Sequence, residues 1–168
     1  MKKIILTISF ILYANITFAG CDDSLSDSVD YSSCQFSDGQ NLSGSYLPNS
    51  NLTFSGFVQV NFDKSIMMNS ILAFGNYPES SFVRANLYES NLQGANFEKS
   101  NLTSSNLTRV NFTGASLIEA NFKNANLFEA NLTGANIMNA NFEGANLNNA
   151  IWTDGKKCGI ESIGVCKK

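Results

Sequence analysis

A large apolar residue recurs at every fifth position of this sequence from Leu42 to Trp152, with no break in phase. We call these residues the centres of five-residue units. The position two before each centre is also restricted: after Gln40 it is always a small residue or Val, and from Ala115 to Ala150 it is always Ala. A period of five fits neither the 3.6-residue repeat of a helix nor the two-residue repeat of a strand. The chain is therefore predicted to turn a corner in every unit and to send one large and one small side chain inward.

The outward residues indicate how many units make one coil. If four units complete a coil, residues 20 apart stack at strand spacing, ~4.8 Å, and like charges should not follow one another down a column. The signs alternate in this way along two such columns: Glu79, Lys99 and Glu119 in one, and Glu89, Arg109 and Glu129 in the other. Lys64 above Arg84 is the exception. Asn residues recur at the same spacing, and stacked amides can form hydrogen-bonded ladders. The columns predict a coil of four units.

The unit of a small residue, Asn or Asp, Leu or Phe, and two variable positions resembles the repeat of the pentapeptide-repeat family. The resemblance covers about residues 40–154. It implies an all-β fold, a right-handed quadrilateral β-helix (a pentapeptide-repeat solenoid) of about six coils. We assign residues 41–154 to this β-helix. Its first units are looser, because other residues replace the Asn at Tyr46, Gly56, Ile66 and Ile71.

The first residues have the features of a secretory signal peptide, which we assign to residues 1–19. Lys2 and Lys3 precede an apolar run, residues 4–13, that is shorter than the ~20 residues of a membrane-spanning helix. Small Ala19 ends the segment at the expected cleavage position. The protein is therefore predicted to be exported, to the periplasm or outside the cell. The alternative is a lipid-anchored membrane protein, because residues 18–21 also resemble a lipoprotein cleavage box that would leave Cys21 as the lipidated first residue.

Four cysteines flank the repeats, at Cys21, Cys34, Cys158 and Cys166. An even number of cysteines in an exported chain predicts disulfides. Of the three possible connectivities we favour the two local ones, Cys21–Cys34 and Cys158–Cys166, because the repeats hold the two pairs apart. Residues 20–40 are then an N-terminal cap segment and residues 155–168 a C-terminal disulfide tail. Lipidation of Cys21 would instead leave Cys34 as an odd thiol.

The composition argues against catalysis. The chain contains no His, so the commonest general base and metal ligand is missing. The sequence holds no phosphate-binding glycine loop, no nucleophile–base set and no metal-ligand spacing. The acidic residues of the repeats lie in outward columns beside basic ones, which is typical of solvated ion pairs. We therefore expect no catalytic, cofactor-binding or metal-binding residues, no cofactor and no small-molecule substrate.

The most suggestive feature for function is a set of apolar residues at outward positions of the first repeats: Tyr46, Phe54, Ile66, Met68, Ile71 and Phe74. Exposed apolar patches often mark interfaces. Either the N-terminal segment, residues 21–40, docks on this set, or it contacts a protein partner or a second copy of the chain. The sequence thus predicts a non-catalytic exported scaffold or protein-binding rod.

Nucleic-acid mimicry is a remote alternative. Some members of the pentapeptide-repeat family mimic DNA and bind type II topoisomerases. Duplex DNA carries one negative charge per ~1.7 Å. Residues 41–155 hold only eight acidic and five basic residues, arranged so that the charges cancel. This balance, like the predicted export, argues against a DNA mimic and against nucleic-acid binding.

Overall fold

The fold is described from a computed structural model, which covers Cys21 and residues 28–168. The predicted signal peptide, residues 1–19, lies outside these residues. Within the described part there is neither a helix nor a strand of ordinary length, and the regular structure consists of single-residue bridges. None of the described residues forms a helix with the length and apolarity that a bilayer span requires.

Parallel bridges join each coil to the next with a register of 20 residues. The first pair in this register is Asn41 with Asn61, the last is Asn131 with Ile151, and a bridge occurs at every fifth residue between them. The bridging residue is the one before each centre. Since a unit has five residues, four units complete a coil, as the charge columns predict. The chain therefore forms a β-helix.

Units 20 residues apart form four columns, which we number by their centres. Column 1 has centres Leu42 to Phe142, column 2 Leu47 to Leu147, column 3 Leu52 to Trp152 and column 4 Phe57 to Ile137. Together the four columns form one shaft. Its first coil is the N-terminal end and its last coil is the C-terminal end.

Each unit ends in a tight turn whose hydrogen bonds explain the period. The N–H of Ser55 donates to the carbonyl of Leu52 at 3.2 Å, and Phe54 between them has a φ of 58°. Such left-handed residues are uncommon outside glycine, yet one occurs at this corner in almost every unit. Hydrogen bonds to the next coil hold the corner residues in this conformation. For example, the N–H of Phe54 donates to the carbonyl of Ala73 in the next coil at 3.0 Å.

The centres fill the shaft. Every centre from Leu47 to Leu132 is fully buried, and the small residues two positions earlier lie beside them. Aromatic centres stack along the axis, as in the series Phe57, Tyr77 and Phe97, whose ring centroids are 5.6 and 5.0 Å apart. Each buried centre contributes ~1.5–3 kcal/mol of hydrophobic stabilisation.

The coil begins earlier than the expected boundary at residue 41. Asp30 pairs with Asn51 and Gln35 with Gly56, in a register of 21 rather than 20. Tyr31 occupies the position of a centre and is fully buried. Residues 28–36 thus add two units to the shaft, and the rest of the expected cap segment, 20–40, supplies one extra residue before the unit of Leu42. That residue breaks the phase, which is why a count from Leu42 does not reveal these units.

The disulfides join Cys21 to Cys34 and Cys158 to Cys166, the pairing favoured from the sequence. Cys34 lies two positions before the apolar Phe36, so it also serves as the small inward residue of its unit and is buried. The N-terminal bridge is therefore attached to the first coil itself.

The C-terminal tail pairs antiparallel with the last coil. Asn146 bridges Ile163 and Ile151 bridges Lys157. Trp152, the last centre, is partly buried and packs edge-on against Phe142 with centroids 5.3 Å apart. The tail thus pairs with columns 2 and 3, and its Gly164 lies next to the backbone of Phe142 and Gly144 in the last unit of column 1.

Candidate interaction surface

The structure distributes the six outward apolar residues over two adjacent columns. Phe54, Ile71 and Phe74 belong to column 3, and Tyr46, Ile66 and Met68 belong to column 2. Tyr46, Phe54, Ile71 and Phe74 are exposed, whereas Ile66 and Met68 are half-buried. All six lie in the first coils, as expected, and the exposed four form the stronger candidate.

An aromatic pair is the best-defined part of this set. The rings of Phe54 and Phe74 stack with centroids 5.3 Å apart and planes 17° from parallel. They remain 58% and 50% exposed. Both occupy the left-handed corner position, where the backbone directs the side chain away from the shaft. Residues 28–40, which continue the coil, leave the pair uncovered, so this part of the N-terminal segment does not dock on it.

The corner positions below the aromatic pair are occupied by glycine and have no side chain. A Cβ on Gly94 would lie 2.6 Å from two ring carbons of Phe74, so the ring rests on the glycine. Gly114 and Gly134 follow in the same corner and have open space beside them. From Asn51 to Thr153 the outward positions of column 3 carry no charged residue. The aromatic pair therefore lies at the top of an uncharged strip.

Local hydrogen bonds fix the polar residues of this strip. The Oδ1 of Asn111 accepts from the N–H of Thr113 at 3.0 Å and from its hydroxyl at 2.6 Å. Asn131 and Thr133 repeat the arrangement. The Asn-x-Thr sequences of the repeats are explained by this turn.

Charges on column 2 neutralise one another. The guanidinium of Arg109 donates to Glu129 at 2.7 Å and to Glu89 at 3.1 Å. The hydroxyl of Tyr88 donates to Glu89 at 2.7 Å, and this bond, followed by that from Arg109, lowers the pKa of Glu89. The predicted alternation of Glu89, Arg109 and Glu129 is therefore a line of direct contacts. On column 1, Lys123 binds Glu143 at 2.9 Å.

The third predicted set of charges is arranged differently. Lys99 lies 3.4 Å from Glu98, its neighbour in sequence, rather than against Glu79 or Glu119. Glu79 accepts instead from the side chain of Gln59 at 3.0 Å. A column of alternating signs thus predicts the stacking of coils, but not always which pair makes contact.

The buried hydroxyl of Tyr77 is part of the packed interior. Tyr77 is fully buried, and its hydroxyl lies 3.1 Å from the Oγ of Ser55 and 3.3 Å from the carbonyl of Leu52. Burial raises the pKa of this phenol above its ordinary value. A Cβ on Gly75 would lie 2.5 Å from the Tyr77 ring, which is why glycine takes the inward position there. The described residues hold no cluster of three metal-ligating side chains.

Sequence reasoning missed a second group of exposed apolar residues at the C-terminal end: Ile160, Ile163 and Val165. They lie in the tail, outside the repeat pattern, so no alternation of inward and outward positions applied to them. Met138, an outward residue of the last coil, is 56% exposed at the same end.

The comparisons agree with this architecture. A family model described as pentapeptide repeats matches in eight copies, over residues 72–103, 80–117, 105–144 and 115–154. A trypsin-treated form of QnrB1, a plasmid-mediated fluoroquinolone resistance protein, is 16% identical over 76% of this chain and 73% of its own, with a TM-score of 0.50. No curated protein matches significantly.

Another similar structure is a pentapeptide repeat protein from the thylakoid lumen of Arabidopsis thaliana, 25% identical over 69% of this chain and 70% of its own, with a TM-score of 0.37. At 16% identity the likeness to QnrB1 concerns the fold alone. The TM-score of the plant protein is too low to support a conclusion. The five-residue units, their 20-residue register and the family match lead to one conclusion: the chain belongs to the pentapeptide-repeat family.

Proposed function

We propose that this chain is an exported, non-catalytic rod that binds a protein partner through the exposed apolar residues near its N-terminal end. In this proposal the shaft is a right-handed, quadrilateral coil of about six turns. The observation that carries the proposal is the stacked, half-exposed pair of Phe54 and Phe74 at the top of an uncharged strip. The buried centres that fill the described coils support a binding role at the outer surface rather than a site inside the shaft.

Protein is the favoured ligand class because of the chemistry of this surface. Aromatic residues are enriched at the centres of protein interfaces, and charged residues are depleted there. Tyr46 and Ile71 extend the apolar surface on either side of the corner between columns 2 and 3. The neighbouring strip is uncharged, so a partner can approach it without removing water from ionised groups.

A comparative capture experiment tests this function. The wild-type chain, a Phe54→Ser/Phe74→Ser variant and a Lys64→Ser/Arg84→Ser control are cross-linked in the native cell envelope and purified. The control replaces two residues at the same corner position in the second and third coils of column 1, where both side chains are exposed. We expect one cross-linked protein with wild type and control and its loss with the aromatic variant. Equal capture by all three chains would exclude this surface.

Export is the second part of the proposal. Two disulfides form and persist in oxidising compartments such as the periplasm or the extracellular space. The bond between Cys21 and Cys34 also supports processing by an ordinary signal peptidase, because a sulfur that carries a lipid cannot form a disulfide. Mass spectrometry of the mature N-terminus without reduction distinguishes the alternatives: a peptide bridged to Cys34 supports export as a free protein, whereas a lipid mass on Cys21 supports a membrane anchor.

The DNA-mimic alternative is not favoured. QnrB1 is a fluoroquinolone resistance protein, and its likeness to this chain concerns the fold. A DNA mimic needs uncompensated negative charge along one face. Here Glu89, Glu129 and Glu143 contact basic side chains, so the negative charge of these two columns is largely compensated.

A further inference from the structure

The corner between columns 3 and 4 changes in height along the shaft. Its left-handed residue is aromatic at Phe54 and Phe74 and glycine in the next three coils, at Gly94, Gly114 and Gly134. The two rings are at least half exposed, whereas the space beside Gly114 and Gly134 is open. The corner is therefore raised in its N-terminal part and low in its C-terminal part. We call these five residues the stepped corner.

The stepped corner also differs from the other three corners in charge. Each of those includes at least two charged residues at the same position of the unit: Lys64 and Arg84 in column 1, Glu89, Arg109 and Glu129 in column 2, and Glu79, Lys99 and Glu119 in column 4. The stepped corner has none, and the bridging residues of columns 3 and 4 on either side of it are uncharged. A contact made here does not remove ionised groups from water, which would be costly.

We propose that two copies of this chain associate side by side and antiparallel through their stepped corners. The proposal rests on the proposed function, since it names the protein that covers the aromatic pair. A two-fold axis that passes between the Gly94 residues of the two copies, at right angles to the shafts, sets their coils in opposite order. Because the coils are evenly spaced, Phe74 then faces the partner's Gly114, and Phe54 faces the partner's Gly134. Every raised position meets a low one, in a closed, isologous contact.

The low part of the corner has room for the partner's rings. A Cβ on Gly114 or Gly134 would meet nothing within 4 Å, and both glycines are exposed. The chain already makes one contact of this kind within itself. The ring of Phe74 rests on Gly94, where a Cβ would lie 2.6 Å from two ring carbons. A partner ring on Gly114 or Gly134 therefore repeats a packing arrangement that the corner has in the single chain.

The step in height selects the antiparallel orientation. In a parallel pair each position would face its own copy, so the rings of Phe54 and Phe74 would meet the same rings of the partner. These rings would hold the two shafts apart and leave a gap beside the glycines. A gap forfeits the contacts that close packing provides. In the antiparallel pair the rings of each copy fill the space beside the glycines of the other.

The size of the contact indicates a weak dimer. From residue 54 to residue 134 the corner covers four intervals between coils, which is ~19 Å at strand spacing. The contact is narrow, because a corner rather than a whole face is buried, so its area lies at the low end of specific interfaces. Four exposed rings at its centre provide aromatic anchors of the kind that carry most binding energy. We therefore expect a dissociation constant in the micromolar range.

Sedimentation velocity of the purified mature chain, over a series of micromolar concentrations, tests the dimer. We expect wild type to dimerise and Gly114→Glu to lose about tenfold or more in affinity, because this variant buries a carboxylate against the partner's Phe74. Gly44→Glu is the matched control. Gly44 has the same left-handed backbone, with a φ of 72° against 67° for Gly114, and the same open space, but it lies at the corner of column 1.

A mixture of two variants tests the antiparallel register. In an equimolar mixture of Gly114→Glu and Phe74→Lys, the new carboxylate of one chain faces the new ammonium group of the other, and the remaining ring still faces a glycine. The mixture should therefore dimerise about fivefold or more tightly than either variant alone. In a parallel pair the two charges would not meet. Glu and Lys occupy the same corner position at Glu119 and Lys99, so both substitutions are compatible with this backbone.

A wild-type chain that is monomeric throughout the series would overturn the proposal. So would equal effects of Gly114→Glu and Gly44→Glu, or a mixture that associates no more tightly than its components. Thermal melts verify that each variant is folded. If Gly114→Glu does not fold, Gly134→Glu replaces it, with Phe54→Lys as its counterpart in the mixture.

The dimer and the proposed function can fail separately. If wild type is monomeric but its cross-linked protein is lost in Phe54→Ser/Phe74→Ser, the partner is a different protein, which excludes the dimer and supports the function. If wild type is monomeric and all chains capture equally, both proposals are excluded. A cross-linked product of twice the mass of the chain, lost in the aromatic variant, supports both.

Discussion

The upper half of the shaft, with centres Leu42 to Leu107, and the lower half, with centres Phe112 to Trp152, have the same backbone but different hydrogen bonds between side chains. In the upper half the inward small residue is mostly Ser, and in the lower half it is Ala after Val110. Several buried Ser hydroxyls reach the coil above, as Ser70 does to the carbonyl of Leu47 at 2.6 Å. The upper coils are therefore joined from the inside.

In the lower half the links lie outside. The side-chain amide of Asn141 donates to Asn121 at 3.1 Å, and that of Asn146 to Asn126 at 2.9 Å. Such amide pairs begin at Asn76. The first coils instead have apolar residues at several of these outward positions. Serine links and amide pairs overlap in the middle coils, so the difference is sharpest in the first coils, where buried hydroxyls join neighbouring coils without an amide ladder and several outward positions are apolar.

The largest expected effect tests how tightly the Ala half is packed. Ala125 is 1% exposed between filled centres. We expect Ala125→Leu to lower the free energy of unfolding by more than the ~1–3 kcal/mol of ordinary overpacking, because neighbouring coils fix the backbone on both sides. Urea denaturation measures the loss. Gln93→Leu, at an exposed site, is the control, and equal stability of the two variants would contradict the explanation.

A matched pair of serines tests the internal links of the upper half. The Oγ of Ser80 accepts from the N–H of Val60 at 3.0 Å and donates to the carbonyl of Phe57 at 2.7 Å. Ser80→Ala leaves both buried groups without a partner and should cost ~1–3 kcal/mol. Ser65 is the comparison, because its buried Oγ has no partner within the described residues. Ser65→Ala should be neutral or stabilising in the same urea titration, and a loss as large as that of Ser80→Ala would exclude the hydroxyl links.

A smaller effect is expected at the external ladder. Asn106 donates to Asn86 at 3.0 Å and accepts from the N–H of Thr108 at 3.2 Å. Asn106→Ala should cost ~0.5–1.5 kcal/mol, since both bonds are partly solvated. Asn136→Ala is the control, because the side chain of Asn136 accepts the same local bond, from the N–H of Met138, at the end of its column. Thermal melts should place Asn106→Ala below the control, and the reverse order would contradict a stabilising ladder.

The smallest effect is a pH dependence at Glu89. Hydrogen bonds from Tyr88 and Arg109 lower its pKa from the ordinary 4.5. A carboxylate with a lowered folded-state pKa contributes stability that is fully present above 4.5 and is lost as the pH falls through the folded-state value. Glu89→Gln should therefore reduce the loss of stability in acid, seen as a flatter plot of urea midpoint against pH below 4.5. An unchanged slope would show that solvent screens this contact completely.

Much of the fold could be predicted from the sequence because the repeat leaves few alternatives. A period of five with a small residue before each centre permits only a chain that turns in every unit, and the charges at Glu89, Arg109 and Glu129 indicate the register. The early units of Tyr31 and Phe36 could not be found in this way, since one additional residue shifts them out of phase.

The candidate surface was predictable only in part. The corner pair of Phe54 and Phe74 follows from the positions of these residues in the unit, but the ring stacking and its glycine base require coordinates. The pairing of the tail with the last coil was not predictable at all. Tail pairing depends on hydrogen bonds such as that from the N–H of Leu147 to the carbonyl of Ser162, and the tail has no repeat to reveal its register.

The single change of register near the N-terminus has a consequence for how such a chain can vary in length. An extra residue is accommodated between Phe36 and Leu42, where only two units of the described shaft precede it. The same insertion in mid-shaft would move every later centre outward and every corner residue inward. Viable gain or loss of sequence within the shaft must therefore come in multiples of one five-residue unit, and each whole coil of four units changes the reach of the molecule by ~4.8 Å. Duplication of coils can lengthen the molecule, while insertions shorter than one unit are restricted to its ends.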